Sequence, residues 1–163
     1  MWRLALLALI LALAVTLAPT AFAADVAART PGAQSFQVWN GHGRAVITRR
    51  GAVFVNLGSG RVRVIDLPSG KAPWHRCNSE GRRVSETTIE YRGRDVRCRV
   101  SSLGEPRPWQ LVIRGHGIFA SGVVRGSLTL DAFDEGPAGR FQIADRPVRR
   151  WPRAVRTYPL VAQ

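Results

Sequence analysis

From Ser35 onward the apolar residues come in short alternating runs, each closed by a glycine, and few folds can use that pattern. In Arg61-Val62-Arg63-Val64 and in Val96-Arg97-Cys98-Arg99-Val100 the period is two, which sends successive side chains to opposite faces of a strand. The runs are rich in Val, Ile, Phe and Thr, and Gly, Ser, Asn and Pro separate them. Strands are expected near 35–40, 44–49, 52–57, 61–67, 84–91, 95–101, 109–114, 117–124, 126–132 and 140–145. Beyond the N-terminal segment no window carries a sustained helical period with caps. Pro147 and Pro152 argue against a helix over 146–156. The chain reads as all-β.

Two stretches look alike. Asn40-Gly41-His42-Gly43 recurs as Arg114-Gly115-His116-Gly117, and the run Gly60–Asp66 resembles Gly126–Asp131. This predicts a duplicated β-unit, with residues 68–108 joining the copies. Duplicated units pack face to face or close on themselves, so the expected architecture is a single antiparallel β-sandwich or flattened β-barrel.

The N-terminus has the layout of a secretory signal peptide. Arg3 precedes an apolar run from Leu4 to Ala18, Pro19 breaks it, and Ala21-Phe22-Ala23 offers a small-x-small cleavage site. At about 15 residues the run is short of the roughly 20 needed to span a bilayer. The expected organisation is a signal peptide over 1–23, a flexible leader over 24–34 and one all-β domain over 35–163. The mature protein is expected in the periplasm, the cell envelope or the medium. In such an oxidising setting the only two cysteines, Cys77 and Cys98, are expected to pair.

Charge is the second strong constraint. The chain has 24 basic and 11 acidic residues, a formal charge of +13. Every basic residue except Lys71 is an arginine. Strand parity puts Arg61 and Arg63 opposite Val62 and Val64, and Arg97 and Arg99 opposite Val96, Cys98 and Val100. If those strands share a sheet, its outer face is a guanidinium array suited to phosphate or carboxylate. The bland alternative is a solvated face. Near the C-terminus Arg149, Arg150 and Arg153 interleave with Trp151 and Tyr158, a mixture that suits an anionic surface or polysaccharide. Otherwise Trp151 and Tyr158 anchor a last strand on the core.

Catalytic patterns are thin. His42 and His116, each between glycines, could face each other, yet metal centres use three or four protein ligands and only His75 remains. Asp66 and Asp131 end matching runs, where aspartate is also ordinary turn chemistry. Neither a nucleophile elbow nor a P-loop occurs, and no catalytic residue, metal or cofactor is assigned. The favoured reading is an exported, non-enzymatic β-domain that associates with an acidic polysaccharide, a teichoic-acid-like polymer or a membrane surface. Nucleic acid is the least natural partner outside the cell. The alternatives are a small envelope hydrolase using His42, His116 and strand-end carboxylates, and a structural or protein-binding module.

Overall fold

The computed structural model describes residues 30–67, 73–102 and 108–162. The expected signal peptide and the first part of the leader lie outside the described residues. The last leader residues belong to the fold: Ala33 bridges Val161, and Gly32 O accepts a hydrogen bond from Ala162 N at 3.0 Å.

The described residues form one antiparallel sheet of eight strands that is not closed, with no helix among them. In chain order the strands are β1 (Gln34–Asp66), β2 (Trp74–Cys77), β3 (Gly81–Ser85), β4 (Thr88–Ser101), β5 (Trp109–Ala132), β6 (Arg140–Ile143), β7 (Arg149–Arg150) and β8 (Arg156–Leu160). The path across the sheet is β2-β4-β1-β5-β8; β3 pairs with β4, and β6 pairs with β1 and β7.

The four runs expected between 35 and 67 are one continuous strand. Residues that looked like loops are its bends, and at each bend the chain stays paired. Residues 43–49 of β1 lie between two stretches of β5, with Arg44 opposite both Arg114 and Asp131. The run expected over 84–91 is instead split by a turn at Glu86–Thr87 into the end of β3 and the start of β4. The short strands β2, β7 and β8 were not legible from alternation, since two to five residues carry too little of it.

Four glycines mark one bend. Gly43 is opposite Gly115, Gly115 opposite Gly60, and Gly60 opposite Gly93, a row across four neighbouring segments of three strands, β1 contributing two. All four have φ between +137° and +155°, a region that side-chain-bearing residues avoid. A Cβ at Gly43, Gly115 or Gly60 would also strike a carbonyl oxygen of the adjoining strand, that of Asp131, Ser59 or Arg114. The sheet can fold along this line only because it is bare.

The inward residues of the long strands meet in one cluster. Val55, Leu57, Val62 and Val64 of β1, Val96 and Val100 of β4, and Leu111, Ile113, Leu128 and Leu130 of β5 are all buried within it. Burying such side chains contributes roughly 1.5–3 kcal/mol each, before conformational entropy is subtracted. Cys98 belongs to the same cluster and pairs directly across the sheet with Cys77, with an S–S length of 2.02 Å. The expected disulfide is present. Trp151 is buried too, its ring lying over the bare Cα of Gly41.

Candidate functional site

Beside each glycine of the bend stands an arginine. Gly43-Arg44, Gly60-Arg61, Arg92-Gly93 and Arg114-Gly115 are aligned by the register, so Arg44 is opposite Arg114, Arg114 opposite Arg61, and Arg61 opposite Arg92. Cross-strand neighbours in an antiparallel pair have Cβ atoms about 5 Å apart. Four arginines therefore form a ladder across four segments of the three strands β1, β5 and β4.

One carboxylate sits under this ladder. Glu90, on β4, is buried with its side chain only 1% exposed. It accepts a hydrogen bond from Arg63 Nε at 2.6 Å and another from Arg92 Nε at 2.5 Å. Arg82 lies at 3.8 Å and Arg61 at 4.0 Å. Burial pushes the Glu90 carboxyl up, but the hydrogen bonds and charges of Arg63 and Arg92 outweigh it and hold the group below its ordinary value. Arg61 is held low, first by burial and then by the like charges of Arg63, Arg92 and Arg114, against which Glu90 pulls. Among the described residues neither Arg44 nor Arg114 has a carboxylate within 4.0 Å. The Arg114 guanidinium instead stacks over Phe133, 5.4 Å from the ring centre. Glu90 is the one carboxylate within 4.0 Å of these arginines among the described residues, with Asp131, Asp134 and Glu135 farther off beside Arg44 and Arg114, and like charges held side by side are relieved by an anion.

The two histidines meet at the same bend. His42 Nε2 and His116 Nδ1 are in hydrogen-bond contact, with ring centres 3.9 Å apart in an edge-on arrangement. His116 also packs edge-on against Phe133, at 5.7 Å. Burial first, then the neighbouring His116, lowers the His42 pKa. His75 is elsewhere: it lies opposite Val100, and its Nδ1 donates to Pro73 O at 2.7 Å. Among the described residues no group of three or more His, Cys, Asp or Glu is placed to hold a metal ion.

Two depressions adjoin over the ladder. The smaller, about 330 Å³, is lined by Arg61, Arg92, Arg114, His116 and Phe133 with the backbone of Ser59 to Gly60 and Gly115, and no carboxylate lines it. The larger, about 750 Å³, shares Arg114, His116 and Phe133 and adds Arg44, Arg153 and the acidic Asp131, Asp134 and Glu135.

Comparison outside the chain adds no assignment. No family model, curated protein or solved structure matches it. The site has to be read from its own chemistry.

The residues singled out in the sequence are divided between places. Arg61 joins the ladder, and Arg63 serves Glu90 one row away. Arg97 and Arg99 are exposed on the far side of the glycine bend, opposite Asn56 and Phe54, with Arg99 6.0 Å over the Phe54 ring. Arg153 lines the larger depression, while Arg149 and Arg150 are exposed on β7. Trp151 is 2% exposed and cannot form part of a surface patch; it is the core anchor that its alternative reading described. Asp66 is buried beside Trp109, whereas Asp131 lies opposite Arg44 and so at the other end of the paired segment. Arg44, Arg92 and Arg114 were not singled out as binding residues. The signal was the repeated Gly-Arg or Arg-Gly dipeptide, which marks both the bend and the cation beside it.

Proposed function

We propose that this is an exported, non-enzymatic β-protein that holds anionic polymers of the cell envelope or its surroundings against the arginine ladder. The observation that carries the reading is the register that stacks Arg44, Arg114, Arg61 and Arg92 side by side, with Glu90 the one carboxylate engaged by this cluster among the described residues. Guanidinium groups bind phosphate and carboxylate through paired hydrogen bonds, and a row of them suits a ligand whose charges repeat. Export is supported by the signal-like N-terminus and is consistent with the Cys77–Cys98 disulfide. The same proposal takes the sheet as a sandwich or flattened barrel of two related units. Its support is the repeated Gly-His-Gly and the large core cluster to which all the long strands contribute.

Co-sedimentation of the purified protein with acidic polysaccharide, teichoic acid and anionic liposomes, each beside an uncharged counterpart at low salt, tests the reading. Retention by at least one anionic material and by none of the neutral ones is expected. Equal retention by both, or by neither, would refute it.

A further inference from the structure

We propose that the smaller depression, floored by Arg61, Arg92 and Arg114 and walled by His116, is a site for a single oxyanion group, and that filling it makes the His42–His116 pair take up a proton. The inference rests on the ladder being an anion-binding surface, and it names the seat and the chemistry of binding within it.

Arginines surround the smaller depression. Three guanidinium groups on three adjacent strands converge there, because Arg92, Arg61 and Arg114 occupy successive positions of one cross-strand row. Gly60 and Gly115 add no side chains to the lining, and among the described residues no carboxylate lines it. Its volume of about 330 Å³ is at the low end of small-molecule sites, room for an oxyanion group together with part of the ligand that carries it. Arg92 is already engaged by Glu90, but among the described residues Arg114 has no carboxylate within 4.0 Å and Arg61 only the distant Glu90 at 4.0 Å. Those two have donors to spare.

The histidine pair then acts as the variable charge. The contact between His42 Nε2 and His116 Nδ1 needs one proton between the two nitrogens. In the neutral pair that leaves His42 Nδ1 and His116 Nε2 with one proton between them, so one of these outer nitrogens is bare. One added proton fills it without disturbing the contact, and the pair then carries one positive charge and an N–H at both outer positions. A second added proton would set two N–H groups against each other and break the contact. The free site resists even the first, because His42 is partly desolvated and its partner His116 shares the smaller depression with Arg61, Arg92 and Arg114 and the adjoining one with Arg44 and Arg153. Asp131, Asp134 and Glu135 of that depression pull the other way. An oxyanion seated on the arginines cancels the opposing field and makes the added proton favourable. By linkage, protonation tightens binding by the same factor.

Titration calorimetry of the intact wild-type protein with inorganic sulfate, whose charge is constant from about pH 5 to about pH 8, measures this directly. Running it in two buffers of different ionisation enthalpy counts the protons exchanged. Uptake of between zero and one proton per sulfate is expected, with affinity rising as pH falls, by at most about tenfold per pH unit. The double variant His42→Gln/His116→Gln should bind sulfate with no proton uptake and a flat pH profile. Oligomers of a phosphodiester and of a uronic acid, titrated in parallel, identify which polymer supplies the group. Sulfate binding with no proton exchange in the wild type would overturn the inference while leaving the ladder an anion site. No sulfate binding at any pH would overturn the inference, and the same result with both oligomers would overturn the ladder as an anion site too.

Discussion

Gly60 and Gly115 face each other across β1 and β5 with φ of +137° and +155°, and the arginines beside them, Arg61 and Arg114, are opposite one another in the next row. The bend and the cationic row are thus one feature. Glycine permits the fold line, and the neighbouring position, turned outward, carries the charge.

This relationship predicts that the bend cannot accept a methyl group. Gly60→Ala and Gly115→Ala each place a Cβ against a backbone carbonyl in a disfavoured region of φ, so each should cost about 1–3 kcal/mol. Thermal unfolding followed by circular dichroism measures it. Wild-type stability in both variants would show that the row is not needed for the fold.

Glu90 should set a distinct acid limb of stability. Its folded pKa lies below its unfolded value, so its contribution is full above the unfolded carboxyl pKa, near pH 4.3, and is lost as pH falls through the folded value. Glu90→Gln should cost about 3 kcal/mol at neutral pH, because Arg63 and Arg92 lose their carboxylate. It should also flatten the pH dependence below about pH 4. An unchanged acid-unfolding profile in the variant would contradict this.

Removing the disulfide should be costly but local. Cys77 and Cys98 join the edge strand β2 to β4 across 21 residues of chain, for which loop-closure entropy gives about 3 kcal/mol. Chemical denaturation of Cys77→Ala/Cys98→Ala against the oxidised parent should show a loss of that size.

How much of this was legible follows from the length of each signal. The alternation around Val62, Val64, Val96 and Val100 spans many residues, and each of those valines is buried as parity required. The pairing of Cys77 with Cys98 needed only a count. The meeting of His42 with His116 was an open possibility, because sequence alone does not say which bends coincide. The grouping of arginines was only half readable. Parity fixes which face a residue takes, but register decides which neighbours it gains, and register depends on the bends. Arg61 and Arg99 therefore share an outward orientation and lie on opposite sides of the fold line. Trp151, in a stretch of arginines, read either as part of a binding surface or as a core anchor; the bare Gly41 over which its ring lies belongs to a strand more than a hundred residues earlier.

Its role gives a further expectation. Trp151→Ala should destabilise the protein by about 3–5 kcal/mol, because a buried indole is lost from the core. Arg149→Gln/Arg150→Gln, on exposed positions, should change stability by well under about 1 kcal/mol. Calorimetric melting of both variants separates an anchoring tail from a merely basic one.

The proposed function requires that anions are held by the ladder rather than by charge spread over the surface. Two variants of equal charge test it: Arg61→Gln/Arg114→Gln within the ladder, and Arg97→Gln/Arg99→Gln beyond the bend. Glu90 keeps its close partners Arg63 and Arg92 in both, so neither should lose much stability. The measurement is affinity for the retained anionic polymer across a salt series. The account predicts that the ladder variant binds at least about tenfold more weakly at low salt, from lost charge-assisted hydrogen bonds, with a shallower salt dependence. The Arg97/Arg99 variant should stay close to wild type. Equal weakening in both variants, or a loss confined to Arg97 and Arg99, would contradict it.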